Sequence, residues 1–206
     1  MVLSRETIVG NSPKLNACLE LLAQAAGSDA NVLIAGETGT GIAHCPASNC
    51  RLGSGIAPIP ELAAAGAPIS LGVDGAASNE SADMISEAHL AWYVHRAAKG
   101  AGAVTVEDVI HWGTRGGARV LGLDRVGAIA PGYAADIAVY ALDDPRYAGL
   151  HDPAIGPVAS GGRPRLAHLF VGGRAIVEND AMPGIDIERL AARARESVQR
   201  MVKANA

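Results

Sequence analysis

Long apolar runs are missing from this sequence: no stretch of 18 or more apolar residues is free of both charge and proline, so no membrane span is expected. Basic runs are missing too, and the formal net charge is -4. That excludes the basic face by which proteins bind nucleic acid. Aromatic residues supply only 3% of the chain. The three cysteines, Cys18, Cys45 and Cys50, are an odd number without a disulfide framework, and are expected reduced. An apolar signal-peptide core is absent as well, because Arg5 and Glu6 interrupt MVLSRETIVG. Together these absences predict a cytoplasmic protein. What is present is a hydrophobic content of 49%, ample for a globular core and incompatible with a wholly disordered chain.

The first 41 residues predict a helix and then a strand. Ser12-Pro13 is a helix start, with proline at the first helical position. Leu15, Cys18, Leu19, Leu22 and Ala26 follow at helical spacing, and Asn31–Ala35 suits a buried strand. The glycine-rich run Gly36–Gly41 comes directly after, which is the context of a phosphate-binding loop, G-x-x-x-x-G-K-[ST]. Gly36, Gly39 and Gly41 are the remnant of such a loop. Ile42 and Ala43 occupy the Lys and Ser/Thr positions, so no specific ATP binding is expected. Pro46 is expected to shorten any helix that follows.

From Ile42 onward the pattern changes. Gly41–His44 and Ala67–Asp74 read as strands, with a short helix over Ile59–Ala65 between them. This order suits a parallel strand–helix–strand unit. A long helix is predicted over Ala82–Lys99, and shorter ones over Thr105–Trp112 and Thr114–Leu121. Ala135–Tyr140 reads as a strand, Leu166–Phe170 and Arg174–Glu178 as a hairpin around Gly172-Gly173, and Ile187–Lys203 as the last helix.

IVGNSPKLNACLELLAQAAGSDANVLIAGETGTG, residues 8–41, resembles the opening of the ATPase domain of sigma-54-dependent transcriptional activators. HCPASNCRLGSG, SLGVDGAASNESADM, IHWGTRGGARVLGL, GAIAPGYAADIAVY and GLHDPAIGPVASGG, in this order, resemble the amidohydrolase superfamily, most of all 8-oxoguanine deaminases and triazine aminohydrolases. The resemblances together imply an α/β architecture. It comprises the last two strand–helix units of a (β/α)8 metal-dependent hydrolase barrel, half of a composite β-sandwich, and an N-terminal P-loop-type helix–strand fragment. The implied boundaries are 1–41, 42–125 and 126–206, with a junction at Gly41/Ile42.

The implied chemistry is metal-dependent hydrolytic deamination of a purine or triazine-like heterocycle, with zinc or iron as the divalent metal. Asp74 matches the family's metal-binding, proton-accepting aspartate at the end of barrel strand eight. Read without the family, Asp74-Gly75 is a carboxylate opening a turn after a strand. His44 would line the site or satisfy a loop. Asn49, Arg51, Ser78 and Asn79 are pocket candidates, or turn and capping residues. His44, Cys45 and Cys50 lack a second ligand pair for zinc. His89, Trp92 and His95 read as surface or packing residues on the long helix, and His111, His151 and Asp152 receive no chemistry. No two of the six histidines are separated by a single residue, so the family's His-x-His pair is missing. The chain as it stands is expected inactive and prone to self-association. The alternative classes are a fragment of a transcriptional regulator with ATP-binding ancestry, or an inert fusion.

Overall fold

The computed structural model describes residues 33–35 and 41–204. The helix expected after Ser12-Pro13, and Gly36 and Gly39 of the glycine-rich run, lie outside the described residues. Strands β1 (Leu33–Ala35), β2 (Gly41–His44) and β3 (Ile69–Leu71) form a sheet in that order. β2 and β3 are parallel, with Ile42 opposite Ile69 and His44 opposite Leu71. β1 pairs antiparallel on the other edge of β2.

Two helices cross from β2 to β3: α1 (Pro46–Leu52) and α2 (Ile59–Ala64). The sequence suggested that Pro46 would curtail a helix; instead it begins one, at the position where a missing N–H costs nothing. Gly53, at φ 67, ends α1 in the left-handed conformation. β3 is shorter at both ends than the predicted 67–74, and Asp74, at φ 59, lies outside the extended conformation.

Helix α3 (Met84–Lys99) starts where the Asp83 side chain accepts the Ile85 N–H. Helix α4 (Val106–His111) starts with a reciprocal capping box between Thr105 and Asp108. The two short helices expected here are one continuous run: a π-helical turn, Trp112–Gly116, joins α4 to α5 (Gly117–Val120). Ile42, Ile69 and Leu71 of the sheet pack with Ile59 and Leu62 of α2, Ala88 and Ala91 of α3, and Val106, Val109 and Trp112 into one core.

Strands β4 (Ile137–Tyr140), β5 (Leu166–Val171) and β6 (Arg174–Glu178) form a separate antiparallel sheet. Helix α6 (Gly156–Ala159) lies in the loop between β4 and β5, and α7 (Ile187–Ala204) follows β6. Among the described residues no helix is long and apolar enough to cross a membrane.

Candidate active site at the Asp74 rim

The backbone beyond β3 keeps one more ladder bond, from Gly72 N to His44 O at 2.9 Å. A Cβ at Gly72 would stand 3.0 Å from Cys45 Sγ, so glycine permits the close approach of the two strand ends. The chain then turns at Asp74, in the left-handed region that Asp tolerates better than most residues. Its carboxylate is exposed at the rim. Ser48 Oγ of α1 donates to Asp74 Oδ2 at 2.7 Å, and Ser78 Oγ donates to the same oxygen at 3.2 Å. Gly75 N donates to Asp74 Oδ1 at 2.7 Å. The Ser48, Gly75 and Ser78 bonds, in that order, hold the carboxyl below the usual carboxylate range. A carboxylate has about four lone-pair positions. With two used on Oδ2 and one on Oδ1, Asp74 keeps a vacant position on Oδ1 and stays ionised.

Beneath this rim lies Glu87 of α3, 1% exposed. Its Oε2 accepts the Ala47 N–H of α1 at 3.1 Å, and its Oε1 accepts Asn79 Nδ2. Asn79 is itself buried, and its Oδ1 takes the Ser81 hydroxyl at 2.9 Å. Asn79 therefore fastens the loop rather than facing an open pocket.

Of the two readings of His44, lining an open site does not fit its burial. His44 lies on the same side of β2 as Ile42, and both are opposite core residues of β3. Strand alternation turns that side toward the helices. His44 is 2% exposed, and its Nε2 is 3.1 Å from Nε2 of His95 on α3. Burial, reinforced by the neighbouring His95, pushes its pKa down to about 3; burial lowers that of His95 to about 4. Asn49 is also buried, and neither polar atom of its side chain has a partner. Arg51 pairs with Glu80 at the surface. Cys45 has its thiol pushed up to about 11, by burial first and then by Asp74 and Glu87, which disfavours the metal-binding thiolate.

The nucleotide-loop reading of Gly41 fails on position. Gly41 is the first residue of β2, and a Cβ there would meet both Val120 methyls at 2.8 Å. Ile42, at the lysine position, is fully buried in the core. Sequence reasoning passed over Ser48 and Glu87, and it read His95 as a surface or packing residue, the second of which fits its buried position. Glu87, Ala88, Ala91 and His95 share the buried side of α3, so a Glu and a His at helical spacing from two alanines were the available signal. His89 binds the Val158 carbonyl at 2.7 Å, and Asp152 accepts the Ala154 N–H. Among the described residues no group of three or more His, Cys, Asp and Glu side chains is placed to hold a metal.

The model of the Amidohydrolase family matches residues 11–176. The chain belongs to the amidohydrolase family. The match begins upstream of Ile42, so it overlaps the segment that resembled an activator ATPase. An isoxanthopterin deaminase from an unknown prokaryotic organism is 57% identical over 187 residues, covering 84% of this chain and 39% of that protein. The 8-oxoguanine deaminase of Pseudomonas aeruginosa is 47% identical over 167 residues, covering 81% of this chain and 37% of the relative. The crystal structure of an adenosine deaminase from Xanthomonas campestris with bound zinc superposes with a TM-score of 0.75 at 32% identity, over 78% of this chain and 37% of that one. The chain thus spans about two fifths of the length of these amidohydrolases.

Proposed function

We propose that this chain carries the C-terminal catalytic portion of a metal-dependent amidohydrolase that deaminates an amino-substituted heterocycle, with Asp74 as proton acceptor and metal ligand. The observation that carries this is Asp74 itself. It is ionised, exposed, and held beyond the C-terminal end of a strand in a parallel pair, where barrel enzymes keep their catalytic groups. The named substrates of the two deaminase relatives share a 2-amino-4-oxopyrimidine ring fused to a second ring, and that is the substrate class proposed; a triazine is the simpler variant.

A divalent metal, zinc or iron, supplies an activated water in such chemistry. Asp74 fits as one donor through its vacant Oδ1 position. A catalytic zinc takes about three protein ligands, and the described residues do not complete such a set. The reaction adds the oxygen of water to the ring carbon, breaks its bond to the amine and releases ammonia. Asp74 takes a proton from the water and returns it toward the leaving amine. If Oδ1 held the metal, the proton would enter on Oδ2 in place of the longer Ser78 bond, with Ser48 keeping the carboxylate oriented. Residues 42–125 supply the barrel portion. Residues 126–206, with the antiparallel β4-β5-β6 sheet, supply half of a β-sandwich and the last helix.

One observation favours a junction at Gly41/Ile42 as a second element of this proposal. Barrels of this type use parallel strands throughout, yet β1 runs antiparallel to β2. β1 takes the edge that a parallel barrel strand would occupy. Sequencing the locus across the codons for Gly39–Cys45 tests the junction. For the chemistry, residues 42–206 are joined to the N-terminal part of an intact related deaminase. The hybrid is expected to release ammonia from 8-oxoguanine or isoxanthopterin, and Asp74→Asn to abolish it. The chain as it stands is expected to release none, with or without added zinc. An active Asp74→Asn hybrid would overturn the role of Asp74.

A further inference from the structure

We infer that Glu87 is a positioning residue for Asp74: one buried carboxylate fastens together the two segments whose serines hold the Asp74 carboxylate. The inference rests on the proposed role of Asp74 for its functional meaning, but its geometry stands alone. Glu87 Oε2 accepts from Ala47 N, and the next residue, Ser48, donates to Asp74 Oδ2 at 2.7 Å. Glu87 Oε1 accepts from Asn79 Nδ2, and the preceding residue, Ser78, donates to the same Asp74 oxygen at 3.2 Å. Each partner of Glu87 is therefore the chain neighbour of a serine on Asp74. The two segments come from different parts of the unit, one following β2 and one following β3. Glu87 comes from a third element, α3.

The environment of Glu87 shows why a carboxylate is used. Ala47 is in the first turn of α1, where backbone N–H groups lack helical partners, and Cys45 before it makes no side-chain cap bond. A neutral amide donor on Asn79 faces the other oxygen. Both contacts are N–H donors, so an acceptor on each oxygen satisfies them together. Among the described residues no lysine or arginine pairs with Glu87. Burial raises the pKa of Glu87, and the hydrogen bonds from Ala47 and Asn79 oppose that rise in part. Release of Glu87 would free α1 and the 75–81 loop to separate, and Ser48 and Ser78 would then leave Oδ2.

Isotope-labelled full chain tests this by NMR at a single neutral pH. In Glu87→Ala, amide exchange at Ala47, Ser78 and Asn79 is expected to speed up by at least about tenfold, as loss of a charge-assisted hydrogen bond implies. The Gly75 amide proton and the Asp74 carboxyl carbon are expected to shift. Leu62→Ala, a core truncation on α2, is expected to lower the Tm and leave those two resonances in place. If Glu87→Ala lowers the Tm while the Gly75 and Asp74 resonances stay put, Glu87 merely stabilises the fold and the inference is overturned. Should Glu87→Ala fail to fold, Glu87→Gln decides. It keeps an acceptor for Ala47 but sets an N–H against Asn79 Nδ2, so Ser78 and Asn79 are expected to exchange fast while Ala47 stays protected. Unchanged exchange at Ser78 and Asn79 in that variant overturns the inference. No step here reads turnover, so an active Asp74→Asn hybrid would defeat the proposed function and leave this result standing.

Discussion

The Nε2 atoms of His44 and His95 lie 3.1 Å apart in the core, with both rings buried. One nitrogen donates and the other accepts, so at most one of the two rings can be charged, and burial favours the neutral form of both. Neither Nδ1 has a partner, and the edge of Trp112 faces the His95 ring with centroids 6.1 Å apart. Among the described residues no carboxylate hydrogen-bonds either ring to favour the charged form.

Acid is therefore expected to destabilise the fold through this pair. The unfolded chain takes up protons on both histidines near pH 6.5, while the folded state resists until about 4 at His95 and about 3 at His44. Stability is full above pH 6.5 and falls as the pH drops from there toward 4. The slope reaches about 1.4 kcal/mol per pH unit for each histidine. Urea denaturation at pH 7.5, 6 and 5 measures it. His95→Phe should flatten the profile by about half, and an equally steep profile in that variant would show that other groups carry the acid sensitivity.

Ser48→Ala is expected to raise the pKa of Asp74 toward the ordinary carboxylate range, and by more than Ser78→Ala does, since the Ser48 bond is the largest cause of the depression. Titration of the Asp74 carboxyl carbon by NMR reads both variants. In the deaminase hybrid, Ser48→Ala should lower kcat while Asp74 remains ionised at neutral pH.

Much of the fold was legible in the sequence because apolar runs and turn residues state it locally. The Gly41–His44 strand, the end of the long helix at Lys99 and the hairpin around Gly172-Gly173 appear where expected. The misses share a cause: each depended on a partner distant in the chain. Pro46 reads as a breaker until Glu87, 40 residues beyond Ala47, receives the Ala47 N–H. His44 reads as a site residue until its register against Ile69–Leu71 shows which side of β2 faces the helices. Asp74 was singled out from its flanking segments alone, whereas Ser48 and Ser78 converge on it from either side of β3 only after the crossover forms.

Cys45 and Cys50 are expected to differ in reactivity. Burial, with Asp74 and Glu87 nearby, holds the Cys45 thiol near 11, while Cys50 is exposed and raised less far. Alkylation by iodoacetamide at pH 8, read by peptide mass spectrometry, should modify Cys50 at least about tenfold faster, as thiolate fraction governs the rate. Comparable rates would mean that the rim around Gly72 opens in solution.

Gly116 and Gly117 are expected to respond in opposite ways to alanine. Both have helical backbone angles, φ -61 and φ -57, so space rather than conformation separates them. A Cβ on Gly116 would run into the Ile69 carbonyl oxygen of β3, a backbone atom that cannot swing aside. A Cβ on Gly117 would meet only the Trp112 carbonyl, at an ordinary 3.7 Å. Gly117→Ala should be neutral or stabilise by up to about 1 kcal/mol, because alanine favours the helix. Gly116→Ala should cost about 2 to 3 kcal/mol through overpacking, read by thermal or urea denaturation. The cost has a direction as well as a size. The helix at Gly116 presses on the start of β3, and the strand leads within five residues of Ile69 to Asp74. Displacing Ile69 should therefore disturb the Ser48–Asp74 bond, and in the deaminase hybrid Gly116→Ala should lose activity at temperatures where it is still folded. Full activity in a folded Gly116→Ala hybrid would show that β3 absorbs the displacement before it reaches the rim.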